Sequence, residues 1–206
     1  MREIVIASKN EGKIREVKRI LGDLPVRWIT WHDLKEWPDL VEDGDTFLDN
    51  ALIKASKLSD ATGYAALADD SGLEVDALDG APGVRSARFG GEEGNDALNI
   101  RRLLKELADV SPGQRTARFV CCTVLYFTAG KYLDASGTCS GTIAMEPRGS
   151  TGFGYDPVFI PNGYDHTFAE LLPGEKDALS HRGHALLSLR AGIMQKAMFE
   201  HGQWGF

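Results

Sequence analysis

The sequence predicts an α/β fold built on a mixed β-sheet, and three observations carry that prediction. Short apolar runs alternate with helix-period segments through the first third of the chain. Later a long aromatic and β-branched stretch, 115–128, turns back at Ala129, Gly130 and Lys131 into a second strand over 131–144, a hairpin that breaks the alternation. No internal repeat or low-complexity linker divides the 206 residues, so a single domain over 1–206 is expected.

The elements follow in order. Residues 3–7 read as a buried strand, and 11–21 as a helix with Ile14, Val17, Ile20 and Leu21 on one face and Gly22 near its end. Residues 26–31 suit a second strand, and 32–45 are polar, acidic and turn-rich. A helix over 46–62 carries Phe47, Ala51, Ala55 and Leu58 as its apolar stripe and closes at Gly63. A strand over 64–69 then ends in a polar cluster, and 74–78 suits another short strand. The glycine-rich stretch 79–94 is expected to be loop. Residues 95–110 read as a helix with Leu98, Leu103, Leu104 and Leu107 facing inward. Beyond the hairpin, 157–160 suits a short strand and 178–199 the last helix.

Composition narrows the function classes. The net charge is −7, which argues against a broad grip on nucleic acid. A phosphorylated small molecule stays open, given a local positive site or a metal. No apolar run approaches the length of a membrane span, and the first residues do not form a signal peptide, so no membrane partner and a cytoplasmic location are expected. The three cysteines, Cys121, Cys122 and Cys139, read as small apolar fillers rather than a disulfide framework. Phosphate-loop, dinucleotide-loop, serine-hydrolase and zinc-hydrolase motifs are all absent.

Five constellations remain. The helix start at SKNEGK, 8–13, suits an anion, because helix N-termini present unpaired N–H groups and a partial positive charge. An ordinary capped helix explains the same residues. In ADDSG, 68–72, Asp69, Asp70 and Ser71 suit either a Mg²⁺ site or an Asx-turn. Upstream, Glu42, Asp43 and Asp45 precede a helix on which Asn50 and Lys54 share one face. In GSTGFGYDPVF, 149–159, glycines bracket Phe153, Tyr155 and Asp156, and aromatic rings can stack on a base. Finally Lys176, His181, Arg182 and His184 gather near a helix start that Ser180 would cap, where basic groups oppose the dipole unless an anion joins them.

Taken together, SKNEGK (8–13), EDGDTFLDNALIKA (42–55), ADDSGLEVDALDGAPGVRSAR (68–88), GFGYDPVF (152–159) and EKDALSHRGHAL (175–186) resemble the inosine/xanthosine triphosphate pyrophosphatase family. The segments occur in family order across almost the whole chain. Departures are small: Asp49 stands where Glu is more usual, and His184 where the family varies.

The resemblance implies an elongated mixed α/β structure with two lobes and a central cleft, usually dimeric. It implies that a nucleoside triphosphate, preferably ITP, dITP or XTP, is cut between the α and β phosphates to monophosphate and pyrophosphate, clearing it from the nucleotide pool. By the same resemblance, Ser8, Asn10 and Lys13 bind the triphosphate, and Lys54 adds positive charge. Glu42 and Asp70, with Asp69 close by, hold Mg²⁺, and Asp70 either orients or deprotonates the attacking water. Asp70 and Lys13 are the catalytic pair, and Ser71 binds substrate. Phe153, Gly154, Tyr155 and Asp156 line the nucleoside site, while Lys176, His181 and Arg182 contact base and sugar. The rival readings are a pyrophosphatase for pyrimidine or modified nucleotides, a nucleotide-binding module without turnover, and a phosphatase releasing orthophosphate.

Overall fold

The computed structural model describes residues 2–127 and 130–199. Its strands are β1 (Arg2–Ile6), β2 (Val26–Ile29), β3 (Ala65–Val75), β4 (Thr116–Tyr126), β5 (Tyr132–Ile143) and β6 (Phe159–Pro161). Its α-helices are α1 (Glu11–Ile20), α2 (Phe47–Thr62), α3 (Asp96–Glu106), α4 (Pro173–Leu179) and α5 (His181–Phe199). The six strands form one sheet in the order β2-β1-β3-β4-β5-β6. β1 pairs in parallel with β2 and β3, and β5 pairs antiparallel with β6, so the sheet is mixed as expected.

Local chemistry fixes the helix ends. Asn10, Thr46 and Asn95 are extended or near-extended residues whose side-chain oxygens accept the N–H three positions on, which satisfies an orphan donor at the start of α1, α2 and α3. Gly63 closes α2 at φ 73°, a conformation open to glycine without a Cβ penalty.

Two compact units share the sheet strands. The first holds the chain up to Asp70, Cys121–Gly137 and the residues from Arg182 on; the second holds Ser71–Val120 and Thr138–His181. In the first, β1 alternates across the sheet: Ile4 and Ile6 join α1 and α5 through Ile14, Val17, Leu186 and Leu189, while Val5 and Ala7 join α2 through Ala51, Ala55 and Leu58. In the second, Leu73, Val75, Leu103, Phe119, Phe159 and Phe168 form one core. No helix among the described residues is long and apolar enough to cross a membrane.

Several elements differ from expectation. The run expected as two strands with a polar turn between them is one strand, β3, and Asp69 and Asp70 lie inside it, buried. The Asx-turn reading fails because these carboxylates find cationic partners elsewhere in the chain. Part of the loop expected over 79–94 is a 3₁₀ segment, Gly83–Arg88. α3 ends four residues early, at Glu106. β6 begins at Phe159, after a 3₁₀ turn over Asp156–Val158. The last helix begins at His181, and Lys176 belongs to a separate helix, α4, that opens on Pro173. Proline suits that first helical position because its missing N–H would be unpaired there anyway. Of the expected hairpin, Thr128 and Ala129 lie outside the described residues.

Candidate active site

In the first unit the chain leaves β1 through Ser8 and enters α1 at Asn10. Ser8 Oγ accepts the Asn10 N–H at 3.1 Å, and Asn10 Oδ1 accepts the Lys13 N–H at 3.1 Å. Lys13, in the first turn of α1, places Nζ 3.0 Å from Asp69 Oδ2. The same oxygen lies 3.1 Å from Arg182 Nε, and Arg182 Nη1 donates to Glu16 Oε2 of α1 at 2.6 Å. Glu16, Asp69 and Arg182 are all buried.

A second knot forms around Asp70. Lys54 Nζ of α2 lies 3.1 Å from Asp70 Oδ1 and 2.9 Å from Glu42 Oε2. One helical turn earlier, Asn50 Nδ2 donates to Asp70 Oδ2 at 3.3 Å, so positions 50 and 54 do share a working face. Asn50 Oδ1 accepts the Gly44 N–H at 2.9 Å, which pins the loop carrying Glu42. That loop packs so closely that a Cβ on Gly44 would meet Asn50 Oδ1 at 2.9 Å.

Neighbouring aspartates titrate in opposite directions. Burial works against the charge of Asp69, but Lys13 and Arg182 outweigh it and hold the carboxyl well below the usual range. Burial also raises Asp70, and there the pull of Lys54 and Lys13 does not overcome burial and the nearby Glu42. Lys54 is held ionised despite burial by Asp70 and Glu42.

The second unit carries a different arrangement. Lys176 Nζ of α4 lies 2.6 Å from Asp156 Oδ2, and both groups are buried. The same oxygen accepts the Phe153 N–H at 2.9 Å. The ammonium sits 4.8 Å from the Phe153 ring centroid and 5.8 Å from that of Phe168, within cation–π range. His181 stacks on Phe119 with centroids 4.5 Å apart and planes 10° from parallel. Tyr155 is a core residue whose hydroxyl donates to Ser86 O at 3.0 Å, and burial pushes its pKa up. Gly152 sits at φ 79°, and a Cβ there would come within 2.1 Å of Asp156 Oδ2. Gly154, at φ 63°, donates its N–H to Asp96 Oδ2 at 2.7 Å.

A Ham1 family profile matches residues 4–192. The chain belongs to the Ham1 family. It is 47% identical to the dITP/XTP pyrophosphatase of Bacillus licheniformis over 95% of this chain and 100% of that one. It is 48% identical to the dITP/XTP pyrophosphatase of Mycobacterium tuberculosis over 95% and 97% of the two chains. Among solved structures, a HAM1 protein from Coxiella burnetii superposes with a TM-score of 0.85 at 43% identity, covering 95% of this chain and 100% of that one. A nucleoside-triphosphatase / dITP/XTP pyrophosphatase from Mycobacterium abscessus superposes with a TM-score of 0.72 at 46% identity, covering 91% and 97%.

In this Ham1 chain the expected site residues fall into two groups. Lys13, Glu42, Lys54, Asp69 and Asp70 gather in the first unit, with Ser8 and Asn10 at the α1 start. Phe153, Gly154, Asp156 and Lys176 gather in the second, with half-buried Ser71 where β3 enters it. Three residues take neighbours other than those expected. Asp69 faces Lys13 and Arg182, two cations that compete with any metal for Oδ2. Arg182 is grouped with Glu16 and Asp69 in the first unit rather than with the aromatic residues. Tyr155 is turned into the core, because its ring is apolar and Ser86 O meets its hydroxyl. Sequence reasoning missed Glu16 and Asp96. Glu16 follows Lys13 by three positions on α1, a same-face spacing that marks it in hindsight. Asp96 looked like an ordinary first-turn acid.

The donor set suits a hard cation. Among the described residues no three acidic, histidine or cysteine side chains converge on one point. Mg²⁺ does not need three, since it keeps several waters and takes one or two carboxylates. Glu42 and Asp70 are two carboxylates sharing one ammonium, so a negative charge is left over for a cation. They would hold the ion.

Proposed function

We propose that this Ham1-family chain hydrolyses the deaminated purine nucleoside triphosphates ITP, dITP and XTP to the monophosphate and pyrophosphate, removing them from the nucleotide pool. It does so in the cytoplasm, as a homodimer, with Mg²⁺ as cofactor. The observation that carries the reading is the Asp70 knot: a buried carboxylate held by Lys54 and Asn50 beside Glu42. The names of its relatives support the substrate class.

When bound, Mg²⁺ supplies charge neutralisation for the triphosphate. The chain's own residues do the rest. Lys13 and the N–H groups at the start of α1, with Ser8, hold phosphate oxygens. Asp69 and Arg182 position Lys13. Asp70, beside Lys54 and Asn50, orients the attacking water and accepts its proton. The water oxygen bonds to the α phosphorus, the bond to the α–β bridging oxygen breaks, and pyrophosphate leaves. Phe153 offers a ring face to the base. Hypoxanthine and xanthine present a carbonyl at C6, which suits a donor such as Lys176 Nζ, whereas the amino group of adenine leaves a buried donor unpaired.

Product analysis tests this. The purified protein is incubated with Mg²⁺ and, separately, ITP, XTP, GTP, ATP and dTTP, and products are separated by chromatography. Fast IMP or XMP with pyrophosphate, and slow GTP and ATP, is the expected result. Diphosphate with orthophosphate would overturn the mechanism, and equal use of dTTP the substrate class.

A further inference from the structure

We propose that Asp96 is a positioning residue for nucleoside binding, acting through the backbone of the loop that carries Phe153. The inference rests on reading 152–156 as the nucleoside loop. All the groups involved lie within the second unit.

The loop is short and left-handed at both flanking glycines, Gly152 and Gly154, so its own dihedrals define it poorly. Side chains fix it instead. Asp156 Oδ2 gathers the Phe153 N–H from inside the loop, and Tyr155 anchors its far side on Ser86 O. A third tie is the Gly154 N–H to Asp96 Oδ2, the shortest of these three at 2.7 Å. It sets the plane of the Phe153–Gly154 peptide, and through it the direction of the Phe153 ring.

Asp96 is well placed to do this because α3 is itself clamped. Asn99 Oδ1 accepts the Gly90 N–H at 2.6 Å, and Asn99 Nδ2 donates to Ala87 O at 3.1 Å. Arg102 Nη1 donates to Phe89 O at 2.6 Å, with its guanidinium 4.4 Å from the Phe89 ring centroid. The segment that supplies Ser86 to Tyr155 is thus held by the helix that supplies Asp96 to Gly154. An acid in the first turn also stabilises a helix through its dipole, which needs charge but no particular length. Positioning Gly154 needs an oxygen at one distance but no charge.

Two substitutions separate these roles. Asp96→Glu keeps the charge and moves the oxygen by one methylene. Asp96→Asn keeps an acceptor at the same distance and removes the charge. The readouts are inhibition of ITP turnover by IMP, which carries the nucleoside, and by pyrophosphate, which does not, together with the melting temperature. The expected result is an inhibition constant for IMP raised about tenfold in Asp96→Glu, the upper end of the effect of losing one hydrogen bond. That for pyrophosphate and the kcat stay within about twofold, and Asp96→Asn stays close to the native protein in all three. Native affinity for IMP in Asp96→Glu would overturn the proposal, as would equal weakening of IMP and pyrophosphate. Those outcomes leave the proposed activity standing. A native chain that turned over no ITP would remove the activity and this inference together.

Discussion

Lys54 in the first unit and Lys176 in the second are both buried ammonium groups facing a carboxylate, 3.1 Å from Asp70 and 2.6 Å from Asp156. Their surroundings differ. Around Lys54 three cations, Lys13, Lys54 and Arg182, face four carboxylates, Glu16, Glu42, Asp69 and Asp70, so the cluster keeps a negative charge that can attract a metal ion. Around Lys176 the second neighbours are aromatic faces, Phe153 and Phe168, and the pair is neutral. The comparison teaches that one ion pair serves two purposes. On the proposed reading, the pair among further carboxylates sets up charge for the triphosphate, and the pair among rings fixes a loop and offers a donor to an uncharged base.

The largest expected effect breaks the comparison if it fails. Asp70→Asn keeps the size of the side chain and removes the base, and turnover of ITP should fall by about 10²–10⁴-fold. Asp156→Asn should instead raise the KM for ITP while kcat stays within a few-fold, because it loosens the Phe153 loop rather than the proton acceptor. Steady-state kinetics on the two variants decide the matter. An equal collapse of kcat in both would mean that the two pairs do not divide the work.

Next in size is stability. Arg182→Met leaves Glu16 and Asp69 buried without their shared cation, and stripping one partner from a buried ion pair costs about 3–5 kcal/mol. Urea denaturation measures it. The pH dependence follows with a definite sign. Asp69 has a folded pKa below its unfolded value, so its contribution is complete above the ordinary carboxylate range and is lost only as pH falls through the lower folded value. Arg182→Met raises that folded value, and acid unfolding should begin at higher pH than in the native protein. An unchanged acid midpoint would show that Lys13 alone sets the Asp69 charge. Lys13→Ala should then cost turnover far more than Lys105→Ala, since Lys105 is an exposed lysine of α3; full activity in Lys13→Ala would remove the phosphate role of the α1 start.

Much of this was legible in the sequence, for physical reasons. The caps and apolar stripes of α1 and α2 are local signals, so those helices fell close to where their periodicity put them. β3 was not legible as one strand, because Asp-Asp-Ser-Gly is turn chemistry wherever its charges lack partners. The partner that helps bury Asp69 is Arg182, which lies 113 positions away, and no local window contains it. α4 was hidden by Pro173 and Gly174, which read as punctuation. At the site, Phe153 and Asp156 lie against Lys176, whereas Tyr155 turns inward and donates its hydroxyl to Ser86 O, a pairing that no local window contains.

The smallest effect sharpens the picture of the second unit, through two glycines that sequence treats alike. Gly152 and Gly154 both adopt positive φ, 79° and 63°, so alanine at either carries the left-handed backbone penalty of about 1–2 kcal/mol. Their space differs. A Cβ on Gly154 meets nothing within 4 Å, whereas one on Gly152 would overlap Asp156 Oδ2 at 2.1 Å. That oxygen binds both Lys176 and the Phe153 N–H, so Gly152→Ala must push apart the contacts that define the loop. Gly154→Ala should therefore lower the melting temperature modestly and leave the KM for ITP within about threefold, the backbone term alone. Gly152→Ala should show a larger fall in melting temperature and a clearly larger rise in KM. Equal KM values in the two variants would mean that the Asp156 carboxylate moves aside without consequence, and that the Lys176 pair does not hold the loop on which nucleoside binding depends.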